Sequence, residues 1–477
     1  MTGDRTRVPC PLRSAALESP DAEAVVGAGW AVSYRVLDAR VSAAERRLEK
    51  VGVAPGDRVA LYLPKEAGYL VLLLALVRAG AVACPVSTRL PAGGVGPVLE
   101  RAGCSALISA DEELLDAVGQ FSRVDPGTVL AGGAGEEEEF GPLEVPLDRP
   151  ATVVFTSGST GVPKAALHTF GNHHNNALGS NENIALAPGD RWLHSLPLYH
   201  VGGLSIVFRC LLAGAAIALP EPGAPLGRAI SDLRASHVSL VSTQLLRLLD
   251  DGADLSGLGA VLMGGGPIPP SLVDEAIARG FPVHTSYGLT EMASQVTTTP
   301  PGASRERLRT AGRVLPHREV RVSGEGEILV RGATLFAGYL REGVPDLPLD
   351  DGGWFRTGDL GEMDADRYLT VSGRRDNLFV SGGENVQPEE IEAALCRVDG
   401  VEEAVVVPVP DPDFGARPVA FVRLSGGAGN LARALEPVLP RFKIPKTFHE
   451  WGGAGGMKPD RVALRERANR LADGAAF

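Results

Sequence analysis

The nine-residue segment TSGSTGVPK, from Thr156 to Lys164, combines glycines, hydroxyl side chains and a lysine. Glycines let backbone N–H groups approach an anion closely, hydroxyls add hydrogen-bond donors, and the lysine supplies a point charge. The segment is not a Walker A motif, because Pro163 precedes the lysine and Ala165 follows it. A flexible surface loop, the alternative, does not need so many hydroxyls before a lysine. The pattern therefore predicts a loop that binds a polyphosphate.

A second segment, TSYGLTE (285–291), places an aromatic ring and an acid four residues apart. The planar ring of Tyr287 suits a purine, and a carboxylate such as Glu291 close to phosphates needs a cation between them. A tyrosine of the core and an acid of the surface are the alternative interpretation. Four more segments carry glycines or charges that can serve such a site: GGGPIP (264–269), WFRTGDL (354–360), GRRDN (373–377) and GGMKPDR (455–461).

In this order, these segments resemble the motifs of the adenylate-forming enzymes, which include acyl-CoA synthetases, peptide-synthetase adenylation domains and luciferases. The resemblance covers nearly the whole chain. It implies that an organic acid attacks the α-phosphate of ATP, with Mg²⁺ present, to give an acyl-adenylate and pyrophosphate. A carboxylate is a poor acceptor for a thiol, whereas AMP is a good leaving group, so CoA can then take the acyl group.

The resemblance also implies roles for single residues. Tyr287 packs against adenine, Thr290 contacts the reacting carboxylate and the α-phosphate, and Glu291 helps to hold Mg²⁺. Asp359 accepts hydrogen bonds from both ribose hydroxyls, and Arg374 reaches the ribose or the phosphates. The full set assigned to ATP and its metal is Thr156, Ser157, Gly158, Ser159, Thr160, Gly161, Lys164, Gly264, Gly265, Gly266, Tyr287, Gly288, Asp359 and Arg374, with Thr160 and Glu291 at Mg²⁺.

The end of the chain carries the residues that the resemblance assigns to domain motion. Lys458 is the catalytic lysine of adenylation, with Met457 in front of it where the family commonly has glycine. Asp376 falls at the hinge about which a small domain rotates after adenylation. Gly382 and Gly383 then face the site where CoA forms the thioester. An exposed linker and an ordinary surface lysine are the alternatives.

The acid substrate is predicted from LPLYHVGGLSIVFR (196–209). This segment begins with a Pro-x-aromatic-His element similar to that of the family, and the resemblance implies that His200 lies beside the acyl pocket with Gly265 and Thr290, although a lone histidine is often structural. Arg209 interrupts an otherwise apolar run. A fatty-acid pocket has no use for a buried guanidinium, whereas a dicarboxylate can pair its second carboxylate with it. The alternatives for Arg209 are pairing with a structural acid and an extended side chain that reaches the surface.

Two later segments, NLFVSGGENVQPEEIE (377–392) and VVVPVPDPDFGARPVAFV (405–422), resemble the 2-succinylbenzoate–CoA ligases of menaquinone biosynthesis. This branch implies an aromatic dicarboxylate, 2-succinylbenzoate, that is activated on its succinyl carboxylate. Two other functions stay open at this point. One is a ligase for a different aryl or acyl acid, and the other is a nucleotide-binding protein without catalysis.

Composition limits the location and the partners. Of 477 residues, 46 are Lys or Arg and 58 are Asp or Glu, which gives a net charge of −12 and argues against nucleic acid as a partner. Five widely spaced cysteines without a CxxC pair fit a reducing compartment, so we expect a cytoplasmic protein. The apolar runs 69–86 and 202–219 contain Arg78 and Arg209, which favours buried core over a membrane span. A homo-oligomer is possible.

Alternating strand and helix patterns must position these residues, and they predict an α/β fold with parallel sheets covered by helices. Ser33 caps a predicted helix over 35–50, and the strand at 151–155 is expected to lead through the phosphate loop into another helix. Short strands over 311–372 predict a small β-rich subdomain. We therefore expect a large N-terminal domain (1–372), a hinge (373–376) and a small mobile α+β C-terminal domain (377–477).

Overall fold

Two large mixed sheets with helices packed against them form most of the molecule, and smaller sheets follow toward the C-terminus. This arrangement confirms the predicted α/β fold with a β-rich subdomain and a small α+β region at the end. The computed structural model describes residues 6–90, 92–131, 141–156, 163–382, 384–424, 429–451 and 460–474, without the side chains of 472–474.

The first large sheet has eight strands in the described residues. Its strands, in spatial order, are Val344–Asp346, Gly338–Arg341, Lys164–Thr169, Pro150–Thr156, Val82–Pro85, Arg58–Leu61, Ala106–Ile108 and Ser122–Val124. The last five of these run parallel to one another, and the first three are antiparallel to their neighbours. Such strands bury both faces, which explains their continuous apolar runs.

The second large sheet contains nine of the described strands. Its strands, in spatial order, are Arg313–Val314, Ser294–Thr298, Val283–Leu289, Ala260–Met263, His237–Leu240, Arg191–Leu193, Ala216–Ala218, Glu23–Gly27 and Trp30–Ser33. The central six are parallel, and antiparallel strands close both edges. The apolar runs 238–241, 260–263 and 281–284 of the sequence overlap three of these strands. A short antiparallel pair, Arg7–Pro9 with Glu144–Pro146, lies outside both sheets.

Helices cover these sheets, and the long ones begin and end where local signals place them. The hydroxyl of Ser33 accepts a hydrogen bond from the backbone N–H of Val36, so the predicted cap is confirmed. The helices of this part are Pro11–Glu18, Tyr34–Lys50, Ala67–Ala79, Ala92–Ala102, Glu112–Ala117, Pro126–Leu130, Phe170–Asn183, Val201–Ala213, Leu226–Asp232, Ser242–Asp250 and Pro270–Ala278, with single 3₁₀ turns at Thr290–Met292 and Arg307–Arg309.

The two apolar runs form the helices Ala67–Ala79 and Val201–Ala213, and both are buried in the main core. In the described part of the chain, no helix is both long enough and apolar enough to cross a bilayer. All five cysteines are free.

The β-rich subdomain is an antiparallel sheet that leads into the C-terminal region. Its strands are Arg318–Val322, Glu327–Gly332, Phe355–Met363 and Leu369–Arg374. After the 3₁₀ turn Arg375–Asn377, the C-terminal elements are the strands Phe379–Ser381, Glu384–Val386, Val401–Asp411, Gly415–Leu424 and Phe448–Glu450, the helices Pro388–Leu395, Leu431–Leu435 and Arg461–Gly474, and the 3₁₀ turn Arg441–Lys443.

The prediction that a helix directly follows the phosphate loop is wrong. Lys164–Thr169 is a strand that pairs antiparallel with Pro150–Thr156. The run Ala-Ala-Leu in this strand has weak strand propensity, yet it is buried and hydrogen-bonded on both sides. Long-range pairing overrides the local preference here. The helix begins later, at Phe170, where Thr169 and Asn172 form a capping box.

Candidate active site

The hairpin register brings the two described ends of the phosphate loop together. Thr156 and Lys164 are directly paired across the two strands, so both belong to the mouth of the loop. Side chains of successive residues in a strand point to opposite faces, and Lys164 therefore shares its face with Ala166 and His168. The loop residues assigned to phosphate and metal, Ser157, Gly158, Ser159, Thr160 and Gly161, lie outside the described residues.

Lys164 and Glu291, which are far apart in sequence, meet through a tyrosine. The ammonium of Lys164 lies 4.9 Å from the centre of the Tyr339 ring, and the Tyr339 hydroxyl donates a hydrogen bond to Oε1 of Glu291. Burial, and then the negative charge of Glu291, raise the pKa of the Tyr339 phenol, so it remains a donor. Sequence reasoning missed Tyr339, since a single tyrosine in a short strand carries no spacing signal.

The residues Thr290 and Glu291 lie on the 3₁₀ turn Thr290–Met292, at the end of the strand Val283–Leu289. His168 donates from Nε2 to the backbone carbonyl of Thr290 over 2.7 Å. Burial lowers the pKa of His168 to about 4, so the ring is neutral at pH 7 and holds the turn without adding charge. Gly288 is required just before the turn, because a Cβ there would overlap the backbone carbonyl oxygen of Ser294.

Tyr287, Asp359 and Arg374 form one connected group. The Tyr287 hydroxyl donates to Oδ2 of Asp359 over 2.6 Å, and Nη1 of Arg374 donates to Oδ1 over 3.0 Å. The last two residues face each other across paired strands, so the backbone itself fixes this contact. Burial, and then the charge of Asp359, raise the pKa of the Tyr287 phenol well above its usual range. Three predicted nucleotide residues are thus brought together.

The glycine segment 264–266 follows the strand Ala260–Met263 and lies beside the strand that carries Tyr287. A Cβ on Gly264 would lie 2.9 Å from the hydroxyl oxygen of Ser286, so only glycine fits without rearrangement. Gly265 has φ +81°, a left-handed conformation that favours glycine, and Gly265 and Gly266 are exposed. The segment therefore exposes its backbone to solvent close to Ser286.

The chain is anchored on both sides of Asp376. On the N-terminal side, Arg375 donates from Nη1 to Glu327 over 3.0 Å. On the C-terminal side, Nδ2 of Asn377 donates to Glu389 over 2.6 Å, on the helix Pro388–Leu395. Asp376 itself is exposed, and its carboxylate lies 3.4 Å from Arg374. Asp376 therefore lies between two side chains that are anchored to different elements.

Gly382 lies at the turn that carries the glycine pair assigned to CoA. It has φ +59°, and its N–H donates to the carbonyl of Phe414 over 2.9 Å. A Cβ on Gly382 would lie 2.8 Å from the Phe414 ring. Phe414 is partly exposed and Arg417 lies over its ring at 4.8 Å. Gly383 and Lys458 lie outside the described residues.

His200 and Arg209 stand on the same helix. His200 is the N-cap residue of Val201–Ala213, is half-buried, and has its ring centre 4.8 Å from that of Tyr199. Arg209 is 1% exposed, which excludes the alternative that its side chain extends to the surface. Among the described residues it forms no ion pair. Instead, Nη2 donates to Oε1 of Gln295 over 2.6 Å, and the guanidinium lies 5.1 Å from the Trp192 ring.

Most hydrogen-bonding capacity of the Arg209 guanidinium is unused. Its Nε and Nη1 atoms have no hydrogen-bond partner in the structure. Burial lowers the pKa of Arg209 to about 9, with a small opposing effect of Cys210, so the side chain is still charged at pH 7. A buried charge without a counter-charge is costly, and it marks this helix as a place where an anion can bind.

Two family models match the chain. Residues 12–340 match the family model of the AMP-binding enzyme, and residues 390–451 match that of the AMP-binding enzyme C-terminal domain. The chain is 37% identical over 440 residues to a 2-succinylbenzoate–CoA ligase of Salmonella typhimurium, with 91% of this chain and 92% of the relative covered. A ligase of the same name from a Geobacillus strain is 33% identical over 463 residues, with 93% and 94% covered.

Solved structures agree with these relatives. The o-succinylbenzoate CoA synthetase (MenE) of Bacillus subtilis in complex with the acyl-adenylate OSB-AMP has a TM-score of 0.86 at 30% identity, with 97% of this chain and 98% of that chain covered. A MenE variant of Escherichia coli with bound OSB-AMS has a TM-score of 0.85 at 33% identity, with 96% and 98% covered. The B. subtilis protein has also been solved with ATP and magnesium ion.

Proposed function

The chain belongs to the family of AMP-binding enzymes, and we propose that it is the 2-succinylbenzoate–CoA ligase of menaquinone biosynthesis. It converts 2-succinylbenzoate and CoA to the thioester through an acyl-adenylate, and releases AMP and pyrophosphate. The observation that carries the choice of acid is Arg209, a buried guanidinium with no acidic partner among the described residues. Relatives and solved structures with this activity in their names match over nine-tenths of the chain.

Adenylation begins with attack of the succinyl carboxylate on the α-phosphorus of ATP, and the bond to pyrophosphate breaks. Charge develops on the phosphate oxygens, so cations and fixed donors near them lower the barrier. Lys164 and the hydroxyl-rich loop bind the phosphates. Lys458 serves as the catalytic lysine, and Thr290 contacts the reacting groups.

Magnesium fits the donor set around Glu291. Mg²⁺ is usually held by one or two carboxylates together with substrate phosphates, rather than by a cage of protein ligands. The described residues contain no group of three or more His, Cys, Asp and Glu side chains that could form such a cage. Glu291, oriented by the Tyr339 hydroxyl, would hold the ion with Thr160, and the ion would neutralise phosphate charge.

The nucleoside is held by the group formed from Tyr287, Asp359 and Arg374. Asp359 accepts from the ribose hydroxyls, and its carboxylate is preoriented by donors on both oxygens. Tyr287 packs against adenine through its ring, next to the glycines 264–266. Arg374 adds positive charge toward the ribose and phosphates. Fixed donors of this kind reduce the reorganisation that binding requires.

The acid is bound through both of its carboxylates. The succinyl carboxylate reacts near Thr290, and His200 and Gly265 lie along the acyl group. The benzoate carboxylate pairs with the guanidinium of Arg209, whose Nε and Nη1 atoms are available. A charge-assisted hydrogen bond from this guanidinium to the second carboxylate gives specificity for a dicarboxylate over a fatty acid.

Thioester formation uses a second arrangement of the domains. The C-terminal domain rotates about Asp376, since Arg375 is anchored to Glu327 and Asn377 to Glu389. The rotation removes Lys458 and brings Gly382 and Gly383 to the thioester site, where the thiol of CoA attacks the acyl-adenylate and AMP leaves. We place this reaction in the cytoplasm, where the five free cysteines stay reduced.

A panel of carboxylic acids tests the proposed function. The purified chain is supplied with ATP, Mg²⁺ and CoA, and pyrophosphate and AMP are measured for each acid. We expect release that depends on 2-succinylbenzoate and is at least about tenfold weaker in kcat/KM for monocarboxylic aryl acids. Turnover of another acid without turnover of 2-succinylbenzoate would replace the substrate. ATP binding with no adenylate for any acid would support a non-catalytic protein.

A separate experiment tests the lysine assignment. Lys458→Ala should abolish adenylation, but it should largely spare thioester formation from supplied acyl-adenylate, since the lysine acts only in the first half-reaction. The two half-reactions are followed by pyrophosphate exchange and by CoA consumption. Arg465→Ala, on the last helix, is the matched control for loss of a cation. Equal loss of both half-reactions in Lys458→Ala contradicts the assignment.

A further inference from the structure

The side-chain amide of Gln295 is the group that meets Arg209, and its orientation is fixed. Gln295 is 3% exposed and lies on the strand Ser294–Thr298, which follows the turn that carries Thr290 and Glu291. Its Oε1 accepts from Nη2 of Arg209 over 2.6 Å and from the hydroxyl of Ser180 over 2.8 Å. An arginine can only donate, so the oxygen must face the guanidinium.

The other end of the amide is also held. Nε2 of Gln295 donates to the hydroxyl oxygen of Thr298 over 2.6 Å, and the backbone carbonyl of Gln295 accepts from Arg318. Arg318 is itself buried and donates from Nε to the carbonyl of Pro316 over 2.9 Å. Burial, and then the charge of Arg209, lower the pKa of Arg318 to about 9. Every contact of Gln295 therefore fixes its position without bringing in a negative charge.

A neutral acceptor at this position has a consequence that an acid would not have. An amide oxygen holds the guanidinium of Arg209 in place but leaves its full charge uncompensated. A carboxylate in the same place would form a buried ion pair and consume that charge. The Nε and Nη1 atoms of Arg209 and the Oδ1 atoms of Asn176 and Asn181 all lack hydrogen-bond partners in the structure. Such orphaned buried groups indicate a polar ligand or water next to Arg209.

We propose that Gln295 is a specificity-determining positioning residue, which orients Arg209 with an uncharged acceptor so that the guanidinium keeps its charge for the distal carboxylate of a dicarboxylic acid. This inference rests on the proposed function, in which Arg209 receives that carboxylate. Gln295 acts through Arg209 and does not touch the reacting atoms. Its effect should appear in recognition of the acid and be absent from recognition of ATP.

The substitution Gln295→Glu tests the inference with almost no change of shape. The new carboxylate pairs with Arg209, so kcat/KM for 2-succinylbenzoate should fall about tenfold to a hundredfold, the size of a lost hydrogen bond to a charged group. KM for ATP should change less than about twofold. The ratio of kcat/KM for 2-succinylbenzoate to that for its methyl ester at the benzoate carboxyl should fall toward one. A merely structural role of Gln295 would not alter this ratio.

Two further variants keep the test decisive. Gln120→Glu adds the same charge at an exposed glutamine and should leave both substrates unaffected. Gln295→Met removes the acceptor without adding charge, and it should weaken use of the dicarboxylate about threefold to tenfold while the preference over the ester persists. If Gln295→Glu does not fold, an unchanged acid dependence in Gln295→Met overturns the inference by itself.

The Arg209→Leu variant separates failure of the inference from failure of the proposed function. If Arg209→Leu weakens use of 2-succinylbenzoate and Gln295→Glu does not, the inference is wrong and the function stands. If Arg209→Leu has no effect, the acid site assigned under the proposed function is wrong. In the double variant, Gln295→Glu should add less than about twofold to the effect of Arg209→Leu, because both act on one interaction.

Discussion

Two buried arginines on similar helices have opposite surroundings. Arg78 belongs to Ala67–Ala79 and Arg209 to Val201–Ala213, and each is the single charge in an apolar helix. Arg78 donates from Nη2 to Oδ1 of Asp38 over 2.6 Å and from Nη1 to the hydroxyl of Ser42 over 2.9 Å. Arg209 meets an amide instead of an acid.

The pKa values follow this difference. Burial works against the charge of Arg78, but Cys10 and Asp38 outweigh it and raise the pKa of the guanidinium. Burial also works against the charge of Arg209, and with only Cys210 opposing it, the pKa falls to about 9. The protein therefore stabilises the charge at Arg78 and leaves the charge at Arg209 partly uncompensated. The carboxylate of a bound ligand can offset the free-energy cost of burying the charge of Arg209.

We propose that this difference makes Arg78 structural, because an acid compensates its charge, and leaves Arg209 for a ligand carboxylate, because its side chain donates to an amide instead. The Asp38 carboxylate also accepts from Nε of Arg13 over 2.7 Å, so one acid ties two arginines of different helices together. That group joins the N-terminal helix to the core. Arg209 forms no ion pair among the described residues, and its Nε and Nη1 atoms have no hydrogen-bond partner there.

The largest expected effect comes from removing the shared acid. Asp38→Ala removes the carboxylate that accepts hydrogen bonds from the buried side chains of Arg13 and Arg78, so the free energy of unfolding should fall by about 3–5 kcal/mol. Urea denaturation measures this loss. Asp21→Ala removes an acid from an exposed ion pair with Arg35 and should cost less than about 1 kcal/mol. If Asp38→Ala lowers the free energy of unfolding as little as Asp21→Ala does, Asp38 does not compensate the charge of the buried arginines.

Arg209→Leu should give the next largest effect, and on catalysis instead of stability. It removes a charged hydrogen bond to the acid worth about 1.5–3 kcal/mol, so kcat/KM for 2-succinylbenzoate should fall about tenfold to a hundredfold. The free energy of unfolding should stay the same or rise, because an uncompensated buried charge is lost. Arg78→Leu is the matched control, with the opposite result in both measurements. An Arg209→Leu enzyme with lower stability and normal kinetics would show that Arg209 is structural and does not bind the acid.

The partly buried ammonium of Lys65 gives a prediction about pH. Its ammonium donates to the backbone carbonyl of His194 over 2.5 Å, and burial lowers its pKa to about 8. The folded state binds this proton less tightly than the unfolded state, so a penalty present below pH 8 is relieved between pH 8 and 10.5.

The free energy of unfolding should therefore rise from pH 8 to 10 by roughly 1–2 kcal/mol more in the natural chain than in Lys65→Met. Urea denaturation at both pH values measures the difference. Lys50→Met, at an exposed lysine, should retain the rise. Parallel pH profiles of the natural chain and Lys65→Met would show that Lys65 is not desolvated.

The smallest expected effect concerns the Ser180 hydroxyl, which contacts Gln295 next to Arg209. Ser180→Ala removes one neutral hydrogen bond to Oε1 of Gln295, worth about 1 kcal/mol, so kcat/KM for 2-succinylbenzoate should fall about twofold to fivefold. Steady-state kinetics at saturating ATP measure it. Ser42→Ala removes a hydroxyl from the compensated region and should lower stability while the kinetics stay normal. An effect of Ser42→Ala on the acid would show that the two regions are coupled.

Much of the site can be predicted from the sequence, because motifs record which residue types a reaction needs. The order of the segments around Lys164, Tyr287 and Asp359 was sufficient to predict an adenylate-forming enzyme, and the family is confirmed. Contact between Tyr287, Asp359 and Arg374 agrees with their assignment to one substrate. The individual roles stay predictions, as do those of Lys458 and the loop residues outside the described part of the chain.

Local signals also predicted many elements. Ser33 caps its helix, and the apolar runs are part of the buried core, because caps, turns and periodicity act over a few residues. The strand Lys164–Thr169 was predicted as a helix, because its pairing partners lie elsewhere in the chain and its own alanines give no strand signal.

The sequence by itself indicated which chemistry the chain carries and where many of its helices and strands fall, since caps, turns and motifs are encoded in neighbouring residues. The tertiary structure alone decided which of two apolar helices carries a ligand arginine. Arg78 and Arg209 have similar flanking residues, and only folding brings Asp38 to one and Gln295 to the other. The contact between Tyr339 and Glu291, which are distant in the sequence, likewise exists only in the folded chain. Electrostatic compensation depends on distance in space, which separation along the chain does not reveal.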